Sequence, residues 1–274
     1  MLSPPRLLLF AGPNGSGKST VTTPERLAHF GIAPGRYINA DDIARTLLAE
    51  GAGVTQEERE RDAFRRARTL RATYREQGES FAFETVFSHS STLLDMRKCR
   101  EIGFEIVLFV VTTRDAEINV ARVAGRYLAG GHDVPIDRIR SRYERMMRLL
   151  PRIVEDSDSA YVMDNSDTSQ VFLFDRDDRY GGRDTLPPFL QERLAEPLAA
   201  RRRERDAIAR QFGATVPPDE EAGEYAGQIV WRGEQYAVQQ TVTGSLRHDL
   251  LLFDAPPRNN ETVAVHYKDN AAAV

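Results

Sequence analysis

The run Gly12-Pro13-Asn14-Gly15-Ser16-Gly17-Lys18-Ser19 has the spacing G-x-x-x-x-G-K-S, a pattern that cradles phosphate groups. Its glycines let successive backbone N–H groups turn toward phosphate oxygens. A helix that begins where the run ends aims its positive N-terminal pole at the same oxygens. In such a loop Lys18 reaches the β- and γ-phosphates and the Ser19 hydroxyl binds Mg²⁺. Gly12 through Thr20 are therefore the candidate nucleotide-contacting residues. The loop alone fits a kinase, an NTPase, a GTPase or a motor.

Further residues narrow the chemistry. Phosphoryl transfer to an acceptor needs a group that takes the acceptor's proton and charges that stabilise the moving phosphoryl. Asp41 and Asp42 follow the short strand-like Tyr37-Ile38-Asn39. A carboxylate there can take a hydroxyl proton, hold magnesium, or simply cap the next helix. Glu84 stands directly after Phe81-Ala82-Phe83, with Thr85, Ser88 and His89 close behind. It is either a working carboxylate or a surface charge at a strand end. Arg122 and Arg126 are one helical turn apart, and Arg138, Arg142 and Arg145 share a face of the next helical segment. Between them lies Gly130-Gly131-His132-Asp133-Val134-Pro135, a turn whose proline suits a helix start. Two arginine-bearing helices around a glycine turn have the form of a kinase lid, whose guanidinium groups clamp phosphates; the bland alternative is a solvated helix pair.

The elements that must position these groups alternate. Leu7–Ala11 and Glu105–Thr112 are apolar runs that read as buried strands, the first ended by Gly12-Pro13. Helical spacing follows the loop from Gly17 to about Phe30, and recurs after Asp41-Asp42 through Ala49. Thr55 to about Gln77 is a long charged helix with Thr55 and Glu58 spaced as a capping box. Helices are also expected over Ser90–Glu101, Ala116–Ala129 and Pro135–Val154, and later strands over Ala160–Met163 and Val171–Asp175. This alternation predicts an α/β class, a three-layer phosphate-loop kinase fold with a largely parallel sheet, ending near Asp178. Leu190–Phe212 reads as a polar helix whose Arg201-Arg202-Arg203 run is expected on a solvated face. Pro217-Pro218-Asp219-Glu220-Glu221 reads as a linker. Beyond it, Gly223–Tyr225, Gln228–Trp231, Tyr236–Val242 and Leu250–Phe253 suggest a small β domain, followed by a polar tail expected to be flexible. The predicted division is 1–185, 186–216, 217–256 and 257–274.

Composition excludes several classes. Of 274 residues, 41% are hydrophobic and 28% charged, and the formal net charge is −4, without the basic bias of a nucleic-acid wrapper. The single cysteine, Cys99, permits neither an intrachain disulfide nor a cysteine-built zinc site and is expected to be a buried small apolar group. No run approaches the roughly 20 apolar residues of a membrane span, so a cytoplasmic protein without membrane partners is expected.

Four segments together resemble the zeta toxin family of kinases: AGPNGSGKST at Ala11–Thr20, YINADDIA at Tyr37–Ala44, FAFETVFS at Phe81–Ser88 and GRYLAGGHDVPIDRIRSRYERM at Gly125–Met146. The resemblance spans roughly residues 5 to 175. It implies ATP- and Mg²⁺-dependent phosphorylation of a small molecule, with the sugar 3′-hydroxyl of UDP-N-acetylglucosamine as acceptor and an antitoxin protein as partner. It implies Asp41 as general base and Lys18, Arg126 and Arg142 as the other catalytic groups. Glu84, Thr85 and His132 fall to the substrate; His132 stands where some members carry arginine. GEYAGQIVWRGEQYAVQQTVTGSLRHDLLLF is similar to the small β domain of KfrB-like plasmid proteins. The alternatives are a kinase for a nucleoside, dinucleotide or polynucleotide end, and a regulatory ATP-binding module of a plasmid system. No nucleic-acid partner is expected for the kinase domain.

Overall fold

A computed structural model describes residues 3–21, 23, 27–28, 35–51, 55–87, 91–128, 134–175, 185–268 and 271–274. Most of the expected helix beyond Val21, along with Ser88, His89, the glycine turn with His132 and the boundary near Asp178, lies outside them; Leu27 and Ala28 are helical, with Leu27 N–H donating to Thr23 O (2.9 Å).

Among the described residues, six strands form one sheet in the order β2-β3-β1-β4-β5-β6. They are β1 (Arg6–Ala11), β2 (Arg36–Ile38), β3 (Phe81–Thr85), β4 (Glu105–Thr112), β5 (Ser159–Asp164) and β6 (Gln170–Asp175). The first five are parallel and β6 is antiparallel. Parallel strands covered on both faces read as unbroken apolar runs. Accordingly Leu7 to Ala11 are buried, as is β4 from Ile106 on. The chain leaves β1 toward β2 on one side and reaches β4 on the other, so the carboxyl ends of β1, β3 and β4 border the crevice in which such sheets bind ligands.

The helices are α1 (Lys18–Val21), α2 (Ala40–Ala49), α3 (Gln56–Glu76), α4 (Ser91–Glu101), α5 (Ala116–Leu128), α6 (Ile136–Glu155) and α7 (Glu196–Phe212). The helical turn Pro188–Leu190 and a π-helical turn Gln191–Ala195 lead into α7. The capping box opens α3: Thr55 N–H donates to Glu58 (3.0 Å), and Glu58 N–H to Thr55 Oγ (3.2 Å). Cys99 is fully buried, which pushes its thiol up to about 12. No helix among the described residues is long and apolar enough to cross a membrane.

A second, antiparallel sheet follows, in the order β11-β10-β7-β8-β9: β7 (Glu224–Arg232), β8 (Tyr236–Thr241), β9 (Gly244–Asp249), β10 (Thr262–Lys268) and β11 (Ala271–Ala273). It corrects several expectations. The tail is not flexible throughout, because β10 pairs with β7 along Thr262–His266, and alternation buries Val265 and Tyr267. Leu250–Leu252 is a 3₁₀ turn, not a strand, since the Asp249 side chain caps it through Leu251 N–H (3.0 Å). The polar segment Gly244–Asp249, outside the expected strands, is β9, held by hairpin pairing with β8.

The linker expectation also fails, for an electrostatic reason. Arg201 is fully buried and bonds Glu155 of α6 and Asp249 of β9, with Nη2–Oδ2 at 2.5 Å. Arg152 of α6 joins Asp156 (2.6 Å), Asp249 (2.5 Å) and Glu220 (3.5 Å). Glu220, in the proline-rich segment, also pairs with Arg97 of α4 (2.9 Å). Buried arginines need such partners, because desolvating an unpaired charge costs several kcal/mol, roughly 3–5 when one partner is removed. Glu204 of α7 accepts three consecutive N–H groups of the β7–β8 hairpin, from Glu234, Gln235 and Tyr236 (2.9–3.1 Å). Leu190, Leu194 and Leu198, with Ile229, Leu252 and Val265, belong to the same apolar cluster as Leu9 and Ile106. The C-terminal sheet is thus fastened to α4, α6 and α7.

Candidate active site

The phosphate loop joins β1 to α1 and is shaped by its neighbours. Gly15 (φ 79°) faces Asn119, whose carbonyl oxygen would stand 2.5 Å from any added Cβ; at Gly17 (φ 94°) the Asn165 amide would stand at 2.4 Å. Neither site tolerates a side chain. Asn165, just past β5, donates to Ser16 O (2.8 Å), while its own oxygen accepts from Ser169 (2.6 Å). Gly12 N–H donates to Thr85 O (3.2 Å), tying the loop to the end of β3.

Lys18 curls over the loop, its ammonium donating to Gly12 O (2.6 Å) and Pro13 O (3.3 Å). Burial lowers it to about 8; Glu84 and Asp41 pull it back up, while Arg126 and Arg142 press it further down. These four side chains come from α2, β3, α5 and α6, yet their charges all act on one ammonium group. Arg142 also donates to Asn14 Oδ1 in the loop (3.1 Å). Its own pKa is lowered by burial and by Arg138 and Arg145, with Glu60 of α3 opposing.

Asp41 is not the helix cap. Asn39 takes that place, its side chain accepting Asp41 N–H (2.8 Å). The Asp41 carboxylate is exposed in the first turn of α2, and Asp42 pairs with Arg45. Glu84 is half-buried and accepts the Tyr37 hydroxyl. The Thr85 hydroxyl accepts Phe87 N–H (3.0 Å), so it also serves the local turn. Arg122 donates to Ser166 O (3.1 Å), beyond β5, rather than joining Lys18. Arg126 is exposed. Arg145 lines a cavity of about 430 Å³ with Arg148, Glu192 and Arg193, away from the loop.

Sequence reasoning missed Tyr37, Asn119 and Asn165. Asn165 carried a usable signal: a polar residue directly after a strand, at the edge where Asp41 and Glu84 also lie. Asn119 lies inside α5, where only the tertiary fold sets it against the loop.

The residues fit a nucleotide. The Ser16 hydroxyl is fully buried in the loop without a hydrogen-bond partner among the described residues, next to glycine positions that keep side chains out of the cradle. For Mg²⁺ the donors are the exposed Ser19 hydroxyl and the carboxylates near Lys18. No cluster of three or more His, Cys, Asp or Glu suited to a metal occurs among the described residues.

Residues 7–152 match the family profile described as an AAA domain, and residues 224–274 that of a KfrB domain. An uncharacterised protein of Haemophilus influenzae is 29% identical over 138 residues, covering 50% of this chain and 92% of that one. The crystal structure of the AvrRxo1-ORF1:-ORF2 complex with ATP aligns with a TM-score of 0.54 at 13% identity, over 80% of this chain and 68% of that one. The same complex with sulphate ions gives 0.53 at 12%, over 70% and 64%. At these identities the likeness is one of fold.

Proposed function

The chain belongs to the AAA domain family, and on that premise we propose that it is an ATP- and Mg²⁺-dependent kinase for a hydroxyl acceptor, the 3′-hydroxyl of UDP-N-acetylglucosamine foremost. The observation that supports this is the phosphate loop with Arg142 bonded to its Asn14 and Lys18 folded onto its carbonyls, where the charges of Glu84, Asp41, Arg126 and Arg142 are all felt by the Lys18 ammonium. Two carboxylates and two guanidinium groups around a phosphate-loop lysine provide a proton acceptor and charge stabilisation in one place. The acceptor itself comes from the zeta toxin resemblance.

In this mechanism the loop N–H groups and Lys18 hold the β- and γ-phosphates. Ser19 would hold Mg²⁺, which, when bound, neutralises phosphate charge. Asp41 takes the proton of the attacking hydroxyl, Glu84 accepts a hydrogen bond from the acceptor, and Thr85 and His132 complete the acceptor's surroundings. Arg126 and Arg142 stabilise the charge on the transferring phosphoryl group. ATP, the ligand of the AvrRxo1 complex, is the donor. An antitoxin-type protein is the expected partner and the cytoplasm the expected place of action. The chain divides into a kinase domain over 1–185, a helical connector over 186–216 and a β unit from 217 that takes in β10 and β11.

The test is incubation with ATP, Mg²⁺ and UDP-N-acetylglucosamine, followed by mass spectrometry. A gain of one phosphoryl group, lost in Asp41→Asn while ATP binding persists, supports the reading. ATP binding without transfer would reject this acceptor and turn the search to nucleosides and polynucleotide ends. Equal turnover by Asp41→Asn would reject the base.

A further inference from the structure

Tyr37 lies on β2, which pairs with β3 as Tyr37↔Ala82, while β3 pairs with β1 as Glu84↔Phe10. Side chains two residues apart on a strand share a face. Tyr37, Ala82, Glu84, Leu8 and Phe10 therefore share one side of the sheet. Leu8, Phe10 and Ala82 are buried there with Val107 and Phe109. Glu84 is the carboxylate that ends this apolar row.

The small Ala82 side chain leaves room for the tyrosine ring to cross over it. The ring meets that of Phe10 at 5.9 Å, and its hydroxyl donates to Glu84 Oε1. Phe10 meets Phe109 at 5.4 Å, and Phe109 stacks on Tyr161 at 4.7 Å. The phenol is thus anchored by a row of rings that spans β2, β1, β4 and β5. Burial, and then Glu84, push its pKa far above the ordinary phenol value, so it stays a donor.

We infer that Tyr37 is a positioning residue: it engages one oxygen of Glu84 and presents the other to the acceptor hydroxyl. This rests on the kinase reading of the site. A carboxylate accepts at both oxygens, and a glutamate otherwise free to rotate gains direction when one oxygen is held.

Tyr37→Phe keeps the ring and removes only the donor; Glu84→Met removes the acceptor. In urea unfolding of the two single variants and the double variant, the losses should be non-additive. Additive midpoint shifts would overturn the coupling whatever reaction the protein performs. In acceptor kinetics Tyr37→Phe should lower kcat/KM for the acceptor about tenfold, leave the KM for ATP unchanged, and have no further effect in the Glu84→Met background. Unchanged acceptor kinetics, or an equal loss toward ATP, would overturn the positioning role. If the wild type phosphorylates no hydroxyl at all, the kinase reading fails and the urea cycle alone decides the Tyr37–Glu84 coupling.

Discussion

Arg142 and Arg152 stand on one helix, α6, ten residues apart, and serve different parts of the molecule. Arg142 reaches Asn14 in the phosphate loop; Arg152 reaches Asp249 in the C-terminal sheet. At 1.5 Å per residue the two are separated by about 15 Å along the axis.

Lys18 has a pH signature. Its folded value of about 8 lies below the ordinary 10.5, so between those limits the unfolded chain binds more protons and stability rises with pH. The full cost of the charged, buried lysine is present below pH 8. The stability gap between Lys18→Met and the wild type should therefore narrow from pH 8 to 10.5, read as melting temperatures. A gap independent of pH would reject the depressed lysine.

Asp249 titrates in the opposite sense. Burial alone would raise it, but Arg201 and Arg152 hold it well below the usual carboxylate range. Its contribution is present above about pH 4, the unfolded value, and is lost as pH falls further. Asp249→Asn should cost about 3–5 kcal/mol at pH 7 in urea unfolding, because Arg201 and Arg152 both lose the carboxylate they share. A loss under about 1 kcal/mol would mean that the network does not bind the sheet.

His248 supplies a sensor inside the second sheet. Burial lowers it to about 4. Gln239 donates to the carbonyls of Tyr225, Gly227 and Val263, leaving its oxygen to accept His248 Nε2–H (3.0 Å) while Nδ1 accepts the Tyr267 hydroxyl (2.6 Å). Protonation would put a donor against Tyr267. Stability should decline as pH falls from 6.5 toward 4, and His248→Gln should flatten that slope. An unaltered slope would assign the decline to other groups.

Deleting residues 217–274 should not release an active kinase. It strips Arg97, Arg152 and Arg201 of Glu220 and Asp249 and uncovers Leu190, Leu194 and Leu198. The truncated protein should bind hydrophobic dyes and lose its cooperative melt. A soluble, cooperatively melting truncation would show that the core of residues 1–216 closes without the sheet.

The legible parts of the sequence were those set by local pattern. The strand–loop–helix order around Gly12–Ser19 and the capping box at Thr55 and Glu58 need only neighbours in sequence. So does the placing of Asp41 and Glu84 at the carboxyl ends of β2 and β3. What depended on distant partners was hidden. Arg201 looked like one of three solvated arginines, since its burial depends on Glu155 and Asp249, 46 and 48 residues away. Tyr37 looked like an ordinary strand residue, because its tie to Glu84 arises only from the sheet register. In β10, the alternation of Val263, Val265 and Tyr267 was present but was outweighed by Thr262, His266 and Lys268 among and beside them.

The fastening of the second sheet to the far end of α6 has one more consequence. Glu224, Ala226 and Gln228 of β7, and Thr262, Ala264 and His266 of β10, face solvent, while nucleotide exchange concerns the carboxyl ends of β1, β3 and β4. The exposed sheet face and the phosphate-loop edge are thus distinct surfaces of one molecule, and substitutions on the first should leave nucleotide binding at the second unchanged.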